Sequence, residues 1–184
     1  MSSSSLSQVL LLVDGYNIIG SWQCLKVTRD RYGLELARQE LIEALINYSA
    51  FQGYKTNVVF DSQYRRTPTQ SENFSTFFTV HYTAFNQTAD TYIEKFCAEF
   101  HGRPQPPSPR IIVATSDRAQ QLTVVGYGAE WISAQRLEGE VCYRSNRAKK
   151  PNQRPQKQCQ GRFLFNSLDA KTQQRLVQMR TAKS

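Results

Sequence analysis

The sequence predicts an α/β protein with a mostly parallel sheet covered by helices, and three observations carry that prediction. Short apolar, β-branched runs recur along the chain, and stretches of helical period separate them. Of the 184 residues, 40% are apolar, enough for one core of ordinary size.

Residues 9–13 are the first strand: five apolar residues, far short of the ~20 that cross a bilayer. Ser2 to Ser5 place no basic segment ahead of them, so residues 1–7 read as a disordered start to a cytosolic protein with no membrane partner. Residues 34–51 bring Leu34, Ala37, Leu41, Leu45, Ile46 and Tyr48 near one helical face, and Gly53 is a suitable C-cap. Residues 57–60, within 55–61, are the second strand, and 77–82, with polar residues mixed in, the third. Tyr92, Ile93, Phe96 and Cys97 give 88–100 a helical stripe that Gly102 and Pro104 stop. Pro104, Pro106, Pro107 and Pro109 make 102–109 a rigid connector. The strongly apolar 110–115 is a central strand, 117–125 a helix, 129–132 a short fifth strand and 134–143 another helix. Ser167 is the N-cap of a final helix over 167–179. The expected division is therefore 1–7 disordered, 8–143 a single domain, and 144–184 a basic extension whose last helix packs on that domain.

The net charge of +8 is local. Between 141 and 168 there is no acid, while Arg144, Arg147, Lys149, Lys150, Arg154, Lys157 and Arg162 supply seven positive charges. Removing those seven from the 23 Lys and Arg leaves 16 against 15 acids, so the rest of the chain is almost neutral. Such a block attracts polyphosphate backbones by counterion release, whatever the base sequence. Its other reading is a solvated tail that keeps the protein soluble. Cys24, Cys97, Cys142 and Cys159 lie far apart without a C-x-x-C pair, and His81 and His101 stand alone, which argues for free thiols and against structural zinc. No G-x-x-x-x-G-K-[ST], G-x-G-x-x-G or G-x-S-x-G is present, so nucleotide-cofactor binding and serine hydrolysis lack their usual loops.

The placement of the acids carries the chemistry. Asp14 ends the first apolar run, Asp61 ends the second, and Asp117 follows the run 111–113. In an open parallel sheet ligands bind beyond the carboxyl ends of the strands, where strand order reverses. Asp90 opens the helix of 88–100, with Glu94 one turn on along the same face. Singly, each acid also reads as a turn or helix cap; four together point further. Clustered carboxylates repel, and a hard divalent cation neutralises them. Mg²⁺ fits an oxygen-only site with few carboxylates, and Mn²⁺ fits it equally. Such an ion serves phosphodiester hydrolysis, which suits a basic protein.

The segments Leu11-Leu12-Val13-Asp14-Gly15-Tyr16-Asn17, Val58-Val59-Phe60-Asp61, Thr88-Ala89-Asp90-Thr91-Tyr92-Ile93-Glu94 and Val113-Ala114-Thr115-Ser116-Asp117 resemble, in that order, the motifs of the NYN domain family, in its YacP-like branch, relatives of the PIN-like nucleases. The resemblance covers roughly 9–143; residues 84–87 depart from it, lacking a common glycine. It implies a three-layer α/β/α sandwich, a magnesium-binding acidic pocket and endoribonuclease activity on single-stranded messenger RNA in association with the ribosome. By motif position Asp14, Asp90 and Asp117 would be the metal-site acids. Asn17 would orient the site or contact phosphate, Thr115 or Ser116 would hydrogen-bond a metal-bound water or a carboxylate, Asp61 would ligate or shape the pocket, and Glu94 would support a ligand from one turn deeper. Arg144, Arg147, Lys149, Lys150, Arg154 and Lys157 are the expected RNA contacts. Two other readings stand beside it: a non-catalytic RNA or ribosome binder with the same fold, and phosphate chemistry on a small molecule, which lacks a second acid two residues after Asp14.

Overall fold

The computed structural model describes residues 9–62, 70–101 and 109–148. In chain order its elements are β1 (Val9–Asp14), α1 (Gly15–Ser21), α2 (Gln23–Tyr32), α3 (Leu34–Gln52), β2 (Lys55–Phe60), β3 (Gln70–Ser75), β4 (Phe78–Tyr82), α4 (Ala89–His101), β5 (Arg110–Ala114), α5 (Arg118–Gly126), β6 (Glu130–Ile132) and α6 (Ala134–Ala148). The strands form one sheet in the order β3-β4-β2-β1-β5-β6, parallel throughout except for β3, which runs antiparallel to β4.

Apolar runs without polar alternation bury both faces of a strand, and the sheet uses each side. Leu11, Val13, Val58, Phe60, Phe78, Val80 and Ala114 pack with residues of α1, α2, α3 and α6. Their sequence neighbours Leu10, Leu12, Val59, Ile111 and Val113 pack with Ala89, Ile93 and Cys97 of α4 and Val124 of α5. Because side chains alternate along a strand, consecutive residues of β1 serve two separate cores. The result is the three-layer α/β/α sandwich.

From β1 the chain moves outward through β2 to β4, then returns to place β5 on the other side of β1. Strand order therefore reverses at β1, and the crevice at its carboxyl end is the natural ligand position of such a sheet.

The sequence expectation missed three elements. Residues 15–32 form α1 and α2, yet α2 buries only Leu25 and Thr28, too narrow a stripe to stand out as a helical period. Strand β3 is polar apart from Phe74, and residues 71–75 are exposed, Phe74 included; it is held by its pairing with β4, so it carries no apolar signature. Helix α6 continues past residue 143 to Ala148, so the charge-based boundary at 143/144 falls inside an element. The expected start at 1–7, most of the connector 102–109 and the expected helix 167–179 lie outside the described residues.

Candidate active site

Asp14 is the last residue of β1 and the N-cap of α1, with Oδ1 accepting from the Asn17 amide at 3.1 Å. The strand passes into the helix without a loop because the next residue is glycine: a Cβ on Gly15 would stand 2.2 Å from Cε1 of Phe60. Tyr16 then lies against the same ring, with centroids 5.1 Å apart. Asn17 reaches the opposite way, its Oδ1 accepting from the Ser116 amide at 2.8 Å and so tying the first turn of α1 to the loop after β5.

That loop is locked from several sides. Thr115 is fully buried; its amide donates to the Ile132 carbonyl at 3.1 Å, and its Oγ1 accepts from the Asp117 amide at 3.1 Å. Ser116 Oγ accepts from the Ala134 amide at 3.3 Å and meets Gln135 Oε1 at 3.4 Å. Asp117 is exposed and caps α5, both of its hydrogen bonds, from the amides of Ala119 at 2.7 Å and Gln120 at 3.1 Å, falling on Oδ1.

Asp61, just beyond β2, uses Oδ1 to accept from the Ala89 amide at the start of α4. A carboxylate there complements the helix dipole, and it fixes where α4 begins. Asp90, the second residue of α4, is thereby brought to the carboxyl end of β1.

The electrostatics show that these acids form one cluster. Burial holds the Asp14 carboxyl up at about 7, against the opposing Asn17 amide bond, and the charges of Asp90 and Asp61 add to the rise. Asp14 is 7% exposed. Asp90 is also raised, first by burial and then by the charge of Asp117, while the neighbouring side chains of Asp14 and Gln120 oppose the rise. The two carboxyls are thus both raised and titrate as a pair. Asp90 and Asp61 act on Asp14, and Asp14, Asp61 and Asp117 on Asp90, from four separate chain segments.

Glu94, the expected support on α4, is half-buried and acts on Cys97, and it is not among the main groups that shift Asp14 or Asp90. His81, half-buried against Tyr92 with centroids 5.5 Å apart, is lowered by burial alone. Of the expected RNA contacts, Arg144 and Arg147 belong to the end of α6; Lys149, Lys150, Arg154 and Lys157 lie outside the described residues.

Sequence reasoning missed Gln120. It is 2% exposed, lies beside Asp90, and neither end of its amide has a partner among the described residues. Its signal was its place three residues after a helix-capping aspartate, a position easily read as capping alone.

Among the described residues no group of three or more His, Cys, Asp or Glu side chains is drawn into a metal cage. The donors present fit a different kind of ion site. All are oxygens, Asp90 Oδ1 is buried without a partner, and an ion such as Mg²⁺ keeps most of its waters while using only one or two carboxylates. Two surface cavities, of ≈ 610 and ≈ 450 Å³, include none of the four acids. No helix among the described residues is long and apolar enough to cross a membrane.

Comparison with known proteins agrees with this architecture. The model of the YacP-like NYN domain matches residues 11–181, reaching well beyond the four motifs into the basic extension. The chain is 36% identical over 132 residues to the uncharacterized protein YacP of Bacillus subtilis, covering 72% of this chain and 74% of that one. It is similar to the crystal structure of Rae1 (YacP) from the same organism, with TM-score 0.62 and 34% identity over 76% of this chain and 77% of that one. A substituted form of Rae1 gives the same TM-score and identity, covering 77% and 80%.

Proposed function

The chain belongs to the YacP-like NYN domain family, with its nuclease-type fold, and on that premise we propose that it is a divalent-metal-dependent endoribonuclease that hydrolyses phosphodiester bonds of single-stranded RNA. The observation that supports the reading is Asp90 lying near both Asp14 and Asp117 where strand order reverses, with a buried Asp90 oxygen left unpaired. Asp14, Asp90 and Asp117 would hold Mg²⁺ or Mn²⁺, one or two of them directly and the rest through its waters, and Asp61 keeps α4 in register with them. The bound ion supplies neutralisation of the carboxylates, activation of water and stabilisation of charge on the leaving oxygen. The residues of the chain orient the site: Asn17 holds the Ser116 loop, Thr115 holds the Asp117 amide, and Gly15 lets α1 start against Phe60.

The basic residues from Arg144 to Lys157 would bind RNA phosphates, with messenger RNA on the ribosome, in the cytosol, as the setting that best uses them. Purified full-length chain incubated with single-stranded RNA and Mg²⁺ or Mn²⁺ is expected to give internal fragments, and chelation to abolish them. Asp14→Asn and Asp117→Asn are each expected to lower the rate by on the order of 100-fold or more without loss of folded protein. Variants that cut as fast as the parent would sink the assignment and leave a non-catalytic RNA binder, on or off the ribosome, as the reading.

A further inference from the structure

Gln120 lies at the third position of α5, counted from its N-cap Asp117. From there a glutamine ordinarily reaches back to the backbone N–H of the cap residue. Here that N–H is already taken by Thr115 Oγ1 at 3.1 Å, while the Gln120 amide backbone caps onto Asp117 Oδ1. The side chain is thus released from the capping role. It turns into the protein beside Asp90, leaving three buried polar atoms without partners at one place: Gln120 Nε2, Gln120 Oε1 and Asp90 Oδ1.

A glutamine that only filled space would be poor chemistry, because burying an unpaired amide is unfavourable and a thioether or aliphatic side chain fills the same volume without that cost. The amide also brings what the acids lack. Ionised carboxylates only accept hydrogen bonds, whereas Gln120 donates and accepts without adding charge to a cluster of four acids.

We propose that Gln120 is a positioning residue of the acid cluster: its amide and Asp90 Oδ1 together hold one water at the edge of the ion site, which fixes the direction of the Asp90 carboxylate. This rests on the metal-dependent reading above. Groups that orient ligands in this way typically change metal affinity or activity by about 10–100-fold when lost.

The test uses the full chain with Gln120→Met, which keeps the volume and removes the hydrogen bonding. Mn²⁺ binding is read from the paramagnetic resonance of the free ion, and cleavage is split into kcat and KM. The expected result is about tenfold weaker Mn²⁺ binding, kcat lower by about tenfold or more, unchanged KM for RNA, and a metal-free Tm equal to or above that of the parent. Gln120→Glu, which keeps an acceptor oxygen and loses the donor, is expected to bind Mn²⁺ at least as tightly as the parent while its kcat stays low. Either variant showing parental kcat and parental Mn²⁺ affinity would overturn the role of Gln120 and leave the nuclease reading intact, since Asp14→Asn and Asp117→Asn are scored separately. A parent chain that neither binds Mn²⁺ nor cuts RNA would overturn both.

Discussion

The two helical layers treat buried polar groups differently. Under α1, α2, α3 and α6, polar atoms that go inside mostly find partners: Trp22 Nε1 donates to the Ala134 carbonyl at 2.8 Å, Ser49 Oγ meets Thr56 Oγ1 at 2.6 Å, and Thr28 Oγ1 donates to Glu40 Oε2 at 2.8 Å. Among the described residues, what remains unpaired there is one oxygen of Glu40 and Nε of Arg38, each on a side chain otherwise engaged. At the start of α4 and α5 an entire amide and a carboxylate oxygen go without. The first layer is a closed core that sets stability. The rim of the second leaves polar groups unpaired among the described residues, as the proposed ion site requires.

That contrast can be broken in three places. The largest effect is expected from Trp22→Ala, which empties the closed layer of a fully buried side chain and orphans the Ala134 carbonyl. Urea unfolding should show a loss of about 3–5 kcal/mol, with cleavage per folded molecule unchanged. A loss of cleavage beyond the loss of folded protein would erase the division between the layers.

A medium effect is expected from pH. Asp14 ionises at 3.8 in the unfolded chain and at about 7 in the folded one, so between those values the folded state binds more protons. Stability contributed by this group is therefore greatest below pH 4 and is lost as pH rises through 7. In chelator, Tm of the parent should fall between pH 5 and 8 by roughly 5 °C more than that of Asp14→Asn, and Mg²⁺ should restore the difference. Equal pH profiles for the two proteins would mean that the cluster is not strained.

The smallest effect belongs to Asp61→Asn. Asp61 is engaged at the Ala89 amide, so the variant should lose about 1 kcal/mol in thermal melts and less than tenfold in cleavage. A loss as deep as that of Asp14→Asn would move Asp61 from support to ligand.

The sheet was legible because β1, β2 and β5 are buried on both sides, and such strands read as unbroken apolar runs. The strand-end aspartates were legible because topology alone places strand ends at one rim. Helices α1 and α2 were not, since their hold on the core is concentrated in Ile18, Ile19, Trp22 and Leu25 across a break at Trp22. Gln120 was hidden for another reason: its meaning depends on Thr115 occupying the Asp117 amide, a hydrogen bond that no spacing in the sequence announces.

The sheet also ends in a way that limits what can approach it. At one margin β3 is polar, with its register shifting between Asn73 and Ser75; at the other, β6 is three residues long and is flanked by the Arg110–Glu130 ion pair at 2.8 Å. Irregular, polar or very short margins discourage an incoming strand from continuing the ladder. Among the described residues both margins are thus poor templates for an added strand, which favours docking by way of the helices or the acidic rim.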